Sequence, residues 1–66
     1  MNLEINGEKK SFKDDVTLKE IINILNIESK VMAAAVNMEI IKKENWNEFT
    51  PKADDKIELL QFVGGG

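Results

Sequence analysis

The chain has 66 residues, of which 42% are hydrophobic and 32% charged, and nine Lys with no Arg stand against twelve acidic residues for a net charge of −3. That length supports one small core, and the hydrophobic fraction is too high for a disordered segment. The absence of Cys and His removes disulfides, thiolate chemistry, His general bases and the commonest zinc ligands, and an acidic balance without a basic stripe argues against nucleic acid as partner.

From the N-terminus, Met1, Leu3 and Ile5 alternate with Asn2, Glu4 and Asn6, the period of a strand with one buried face. Asn6-Gly7 then predicts a type I′ hairpin turn, because both residues tolerate positive φ, and a return strand over Glu8–Phe12. Thr17 and Glu20 form a T-x-x-E capping box at a helix start, with Val16 poised to staple onto Ile21. Leu18, Ile21, Ile22 and Leu25 make one apolar stripe, Ile24 lies off it, and Asn26 suits the left-handed position that ends a helix.

Val31–Val36 is short, bounded by Asn37 and flanked by β-branched residues, which predicts a buried central strand despite three alanines. Simple alternation points Met32, Ala34 and Val36 inward. Glu39–Ile41 is its expected antiparallel partner across a turn at Asn37-Met38, where a residue with a Cβ is an unusual choice. Lys42–Pro51 reads as irregular with a short helical turn. Its Trp46 and Phe49 are expected to cover the open end of the core, with a binding role for Trp46 as the alternative. Asp54-Asp55 is a turn and Lys56–Val63 the last strand. A hairpin, a crossover helix and further strands give an α+β fold with one helix laid on a mixed sheet. No apolar run approaches the ~18 residues of a membrane span and no signal peptide is evident, so a soluble, cytoplasmic protein is expected.

Two features point to function. Three of the four glycines are the last three residues, Gly64, Gly65 and Gly66. A frayed end or a cloning remnant would account for them. The chemical alternative is a stem without Cβ atoms, thin enough for a narrow channel, ending in an unhindered α-carboxylate. Such a carboxylate acylates nucleophiles only once activated, and the nearest Lys is Lys56. The second feature is the last strand, in which Ile57 and Leu59 facing the helix would turn Leu60 and Phe62 to the opposite face beside the tail. Such an apolar patch either marks a partner surface or is covered by another segment.

Taken together, Leu3-Glu4-Ile5-Asn6-Gly7-Glu8, Ala35-Val36-Asn37-Met38-Glu39-Ile40-Ile41, Lys43-Glu44-Asn45-Trp46, Lys56-Ile57-Glu58-Leu59-Leu60 and Phe62-Val63-Gly64-Gly65-Gly66 resemble the ThiS family of sulfur carriers in thiamine (thiazole) biosynthesis. The resemblance spans essentially the whole chain. It departs at Met38, where the family usually has Gly, at Lys42, where it often has Pro, and at Ala53-Asp54-Asp55, where it often has Asp-Gly-Asp.

The resemblance implies a ubiquitin-like β-grasp fold, with a sheet of about five strands and one main helix on one face. Residues 1–63 would form the single domain and 64–66 a flexible glycine tail. It also implies a protein cosubstrate rather than an enzyme. A ThiF-type E1-like adenylyltransferase would use ATP and Mg²⁺ to adenylate the Gly66 carboxylate. Sulfur from a cysteine desulfurase would convert that to a thiocarboxylate, and a ThiG-type thiazole synthase would accept it. Gly64 and Gly65 would be the stem, Leu60 and Phe62 the docking candidates, and no cofactor or metal would be permanently bound. The small subunit of molybdopterin synthase and a non-covalent ubiquitin-like interaction module are the alternatives.

Overall fold

Leu3 and Ile5 are buried between exposed Asn2 and half-buried Glu4, so the alternating start of the chain forms β1 over Asn2–Ile5. Asn6 and Gly7 adopt φ of 50° and 86°, and the chain returns antiparallel as β2 over Glu8–Ser11. All four β2 residues are exposed, and Glu8, Lys9 and Lys10 supply the charge that keeps a sheet edge from pairing with other chains. The computed structural model describes residues 1–62.

Helix α1 runs over Leu18–Ile24, and its N-terminal amides are fully accounted for. Leu18 N–H donates to the Phe49 carbonyl (2.8 Å) and Lys19 N–H to the Trp46 carbonyl (3.0 Å). Glu20 N–H donates to the Thr17 hydroxyl, and Thr17 N–H to the Glu20 carboxylate (2.9 Å), completing the capping box. Val16 and Ile21, the staple pair, are both fully buried. At the other end Asn26 takes φ 58°, its N–H donates to the Asn23 carbonyl, and Ile27 N–H reaches back to the Ile22 carbonyl. That double closure is a Schellman motif.

Strand β3 covers Val31–Val36, β4 covers Glu39–Ile41, and a 3₁₀ turn at Lys43–Asn45 precedes β5 over Lys56–Gln61. The sheet order is β2-β1-β5-β3-β4, with β1 and β5 parallel and the other neighbours antiparallel. Leu3, Ile5, Ala34, Val36, Ile57 and Leu59 meet Leu18, Ile21 and Ile22 of α1 in one core. This is the β-grasp arrangement, a mixed five-stranded sheet with its helix on one face.

Two expectations need correction. Met32 does not point inward; it is 60% exposed, while Val31 is buried. The reason is a register shift between Val31 and Ala33 against β5: Val31 lies opposite Gln61 but Ala33 opposite Leu60. One extra residue on β3 breaks the alternation, so Met32 is turned out and Val31 in. Among the described residues the last ladder residue is Gln61, so Phe62 falls outside the expected strand and its N–H bonds the Lys30 carbonyl; Val63 lies outside the described residues.

The middle turn is built as expected and at a cost. Asn37 and Met38 have φ of 51° and 71°. A side chain in this left-handed region costs roughly 1–2 kcal/mol. Asn37 offsets it: its side-chain oxygen accepts from Lys56 N–H (2.9 Å), and its side-chain NH₂ donates to the Asp55 carboxylate (2.9 Å).

Candidate docking face and carrier terminus

Strand β5 alternates as expected. Ile57 and Leu59 are buried against the helix, whereas Leu60 is 61% and Phe62 is 62% exposed. Both docking candidates therefore lie on accessible surface, at the end of the strand that leads toward Gly64, Gly65 and Gly66. These three glycines lie outside the described residues.

The sheet pairing brings a third large apolar side chain to this face. Ile40 of β4, 66% exposed, stands opposite Ala35, and Ala33 stands opposite Leu60. Sequence reasoning missed Ile40. The signal was available in the Asn37-Met38 turn, since pairing Val36 with Glu39 puts Ile40 beside Ala35 and on the same face as Ala35.

The end of β5 is held by a residue from the far side of the chain. Asn6 N–H still donates to the Ile57 carbonyl (2.9 Å), and the Asn6 side chain then continues the ladder. Its oxygen accepts from Leu59 N–H (2.7 Å) and its amide donates to the Leu59 carbonyl (3.3 Å). A side-chain amide thus substitutes for a peptide group. With the Lys30 carbonyl holding Phe62 N–H, this sets the position of the strand segment that carries Leu60.

Trp46 belongs to the core and not to this site. It is 3% exposed, its indole N–H donates to the Ile41 carbonyl (2.9 Å), and Lys43 lies 5.9 Å above its ring. Among the described residues no polar or charged residue is buried. The Glu20 carboxyl, part of the helix cap, is held below its ordinary value, first by the Thr17 backbone N–H and then by Lys13, 3.3 Å away. No group of three or more acidic, His or Cys residues among them could hold a metal ion, and none of their helices is long and apolar enough to cross a membrane.

The profile of the ThiS family matches residues 2–66. The chain belongs to the ThiS family. It is a sulfur carrier of thiamine biosynthesis, a protein cosubstrate and not an enzyme. The sulfur carrier protein ThiS of Bacillus subtilis is 35% identical over 97% of this chain and 98% of its own length. A thiamine biosynthesis protein (ThiS) from Geobacter metallireducens, solved by crystallography, superposes over all of both chains with a TM-score of 0.81 at 28% identity. The thiazole synthase of Paramagnetospirillum magneticum is also similar, 33% identical over the whole of this chain, which spans only 20% of that protein's length. A ThiS-like segment therefore occurs within a thiazole synthase.

Proposed function

We propose that this ThiS protein carries sulfur on its C-terminal carboxylate. The Gly66 carboxylate attacks the α-phosphate of ATP in a ThiF-type adenylyltransferase, with Mg²⁺, releasing pyrophosphate and forming an acyl adenylate. Persulfide sulfur from a cysteine desulfurase then attacks the acyl carbon and displaces AMP. A second thiol then attacks the cysteine-side sulfur of the resulting acyl disulfide, forming a disulfide with that cysteine and releasing a thiocarboxylate on Gly66, which a ThiG-type thiazole synthase accepts as sulfur donor for the thiazole ring. Gly64 and Gly65 form the stem that enters the partners' channels, since neither adds bulk beyond the backbone. Leu60 and Phe62 dock the domain on those partners, and the cycle runs in the cytoplasm, where ATP is supplied.

The observation that carries this reading is the family match running through residue 66. The exposed Leu60 and Phe62 close to that end support the docking role. Gly66 is four residue steps beyond Phe62, a reach of at most about 14 Å, so docking and activation engage neighbouring surfaces of one partner. The ThiS-like segment of a thiazole synthase favours the thiazole branch over molybdopterin synthesis.

The test is the intact mass after incubation with ATP, Mg²⁺, a ThiF-type enzyme and a persulfide source. A shift matching exchange of one oxygen for one sulfur, mapped to Gly66, is expected. Removing Gly66 should leave the melting temperature unchanged and abolish adenylation. Adenylation that survives this deletion would refute the carrier chemistry.

A further inference from the structure

Strand β3 contains an anomaly that the carrier chemistry does not use. Ala is depleted in strands, yet Ala33, Ala34 and Ala35 occupy the middle of a strand inside the sheet. Ala34 is 1% exposed under the helix, where a small side chain is set by packing. Ala33 and Ala35 face the open side and are half-buried, and among the described residues no helix or loop is laid over them. A β-branched residue would serve the strand better at both positions.

Their smallness leaves a groove of about 240 Å³, floored by Ala33 and Ala35 and walled by Ile40 and Leu60. This is below the ~300–1,000 Å³ of pockets that take small-molecule ligands, which suits a side chain rather than a metabolite. Glu58 and Asn6 also line it. Glu58 is exposed, lies opposite Ala35, and makes no ion pair among the described residues. In a chain of net charge −3, this leaves an unneutralised carboxylate at the rim of an apolar depression.

We propose that this groove seats one bulky apolar side chain of the activating enzyme, and that a Lys or Arg beside that side chain on the enzyme meets Glu58. The inference rests on the docking reading of Leu60 and deepens it. An apolar anchor in a pocket supplies affinity, while the charge at its edge selects the partner and speeds encounter.

Affinity of the full chain for a ThiF-type enzyme, by titration calorimetry at two salt concentrations, tests this with three variants. The double variant Ala33→Val, Ala35→Val fills the groove; it should keep or raise the melting temperature and weaken binding about tenfold or more. Glu58→Lys should weaken binding by a similar factor and remove the loss of affinity that wild type shows at higher salt. Leu60→Asp probes docking itself. If Leu60→Asp abolishes binding while the filled groove and Glu58→Lys bind like wild type, the groove is overturned and docking stands. If Leu60→Asp also binds like wild type, the docking reading fails and the groove with it. Dimerisation of the wild-type chain that the filled groove abolishes would assign the face to a second copy and overturn the proposal.

Discussion

On the helix side of β3 and β5, Ala34, Val36, Ile57 and Leu59 are each no more than 5% exposed; on the open side of the same strands, Leu60 is 61% exposed and Glu58 lies in solvent. The backbone and the hydrogen bonds are shared, so the difference lies in what covers each face. Burial under α1 converts an apolar side chain into stability, at about 25 cal/mol per Å² removed from water. On the open face the described residues leave Ile40 and Leu60 exposed, without that gain. Under the docking role proposed above, changes on that face would alter partner choice without unfolding the domain.

The largest departure from this division should come from Trp46, which sits outside the sheet yet belongs to the buried side. Trp46→Ala should cost about 3–5 kcal/mol by urea denaturation, because the indole is replaced by a cavity and the Ile41 carbonyl loses its donor. In a domain this small that corresponds to a melting temperature lower by at least about 12 °C. An unchanged melting temperature would move Trp46 to the functional face.

A smaller loss belongs to the helix cap. Thr17→Ala should cost about 1 kcal/mol. The same cap gives a pH signature. Because the Glu20 carboxyl titrates lower in the folded chain than in the unfolded one, its contribution is complete above the ordinary carboxylate range. It is lost as the pH falls through the lowered value. Glu20→Gln should flatten this acid limb in a series of denaturation curves, and an acid limb unchanged by that substitution would show that other carboxylates produce it.

Met38 sharpens the comparison from the opposite direction. It is 89% exposed at φ 71°, so it bears strain without gaining burial. Met38→Gly should stabilise by roughly 0.5–1 kcal/mol, the relieved left-handed strain less the added freedom of the unfolded chain. Destabilisation would mean that Met38 packs on something in solution.

The smallest stability effect is expected where the functional effect is greatest. Leu60→Asp should change unfolding free energy by no more than about 0.5 kcal/mol, as for other exposed sites, while weakening capture by the activating enzyme. A large loss of stability would show that the open face is covered.

Much of the fold was legible because its signals are short-range. Leu3 and Ile5 alternate within four residues, Thr17 and Glu20 meet across one helical turn, and Asn26 closes the helix by its own tolerance of positive φ. The outward direction of Leu60 and Phe62 followed from period-two counting against Ile57 and Leu59. The same counting failed at Met32, because the extra residue on β3 is defined only against its partner strand. Ile40 escaped notice for a different reason: the Asn37-Met38 turn already pairs Val36 with Glu39, but the face was not counted across that pairing to Ile40 beside Ala35.

By itself, then, the sequence determined the hairpin, the capped helix, the apolar stripe and the glycine ending, since each depends on groups a few bonds or one turn apart. The tertiary structure alone decided that β5 inserts between β1 and β3, parallel to the first and antiparallel to the second. It alone brought Asn6 to Leu59, 53 residues away, and set Glu58 at the edge of a groove floored by alanines. Such juxtapositions arise from strand pairing after the chain has collapsed, when backbone groups distant in sequence find partners that no local pattern encodes.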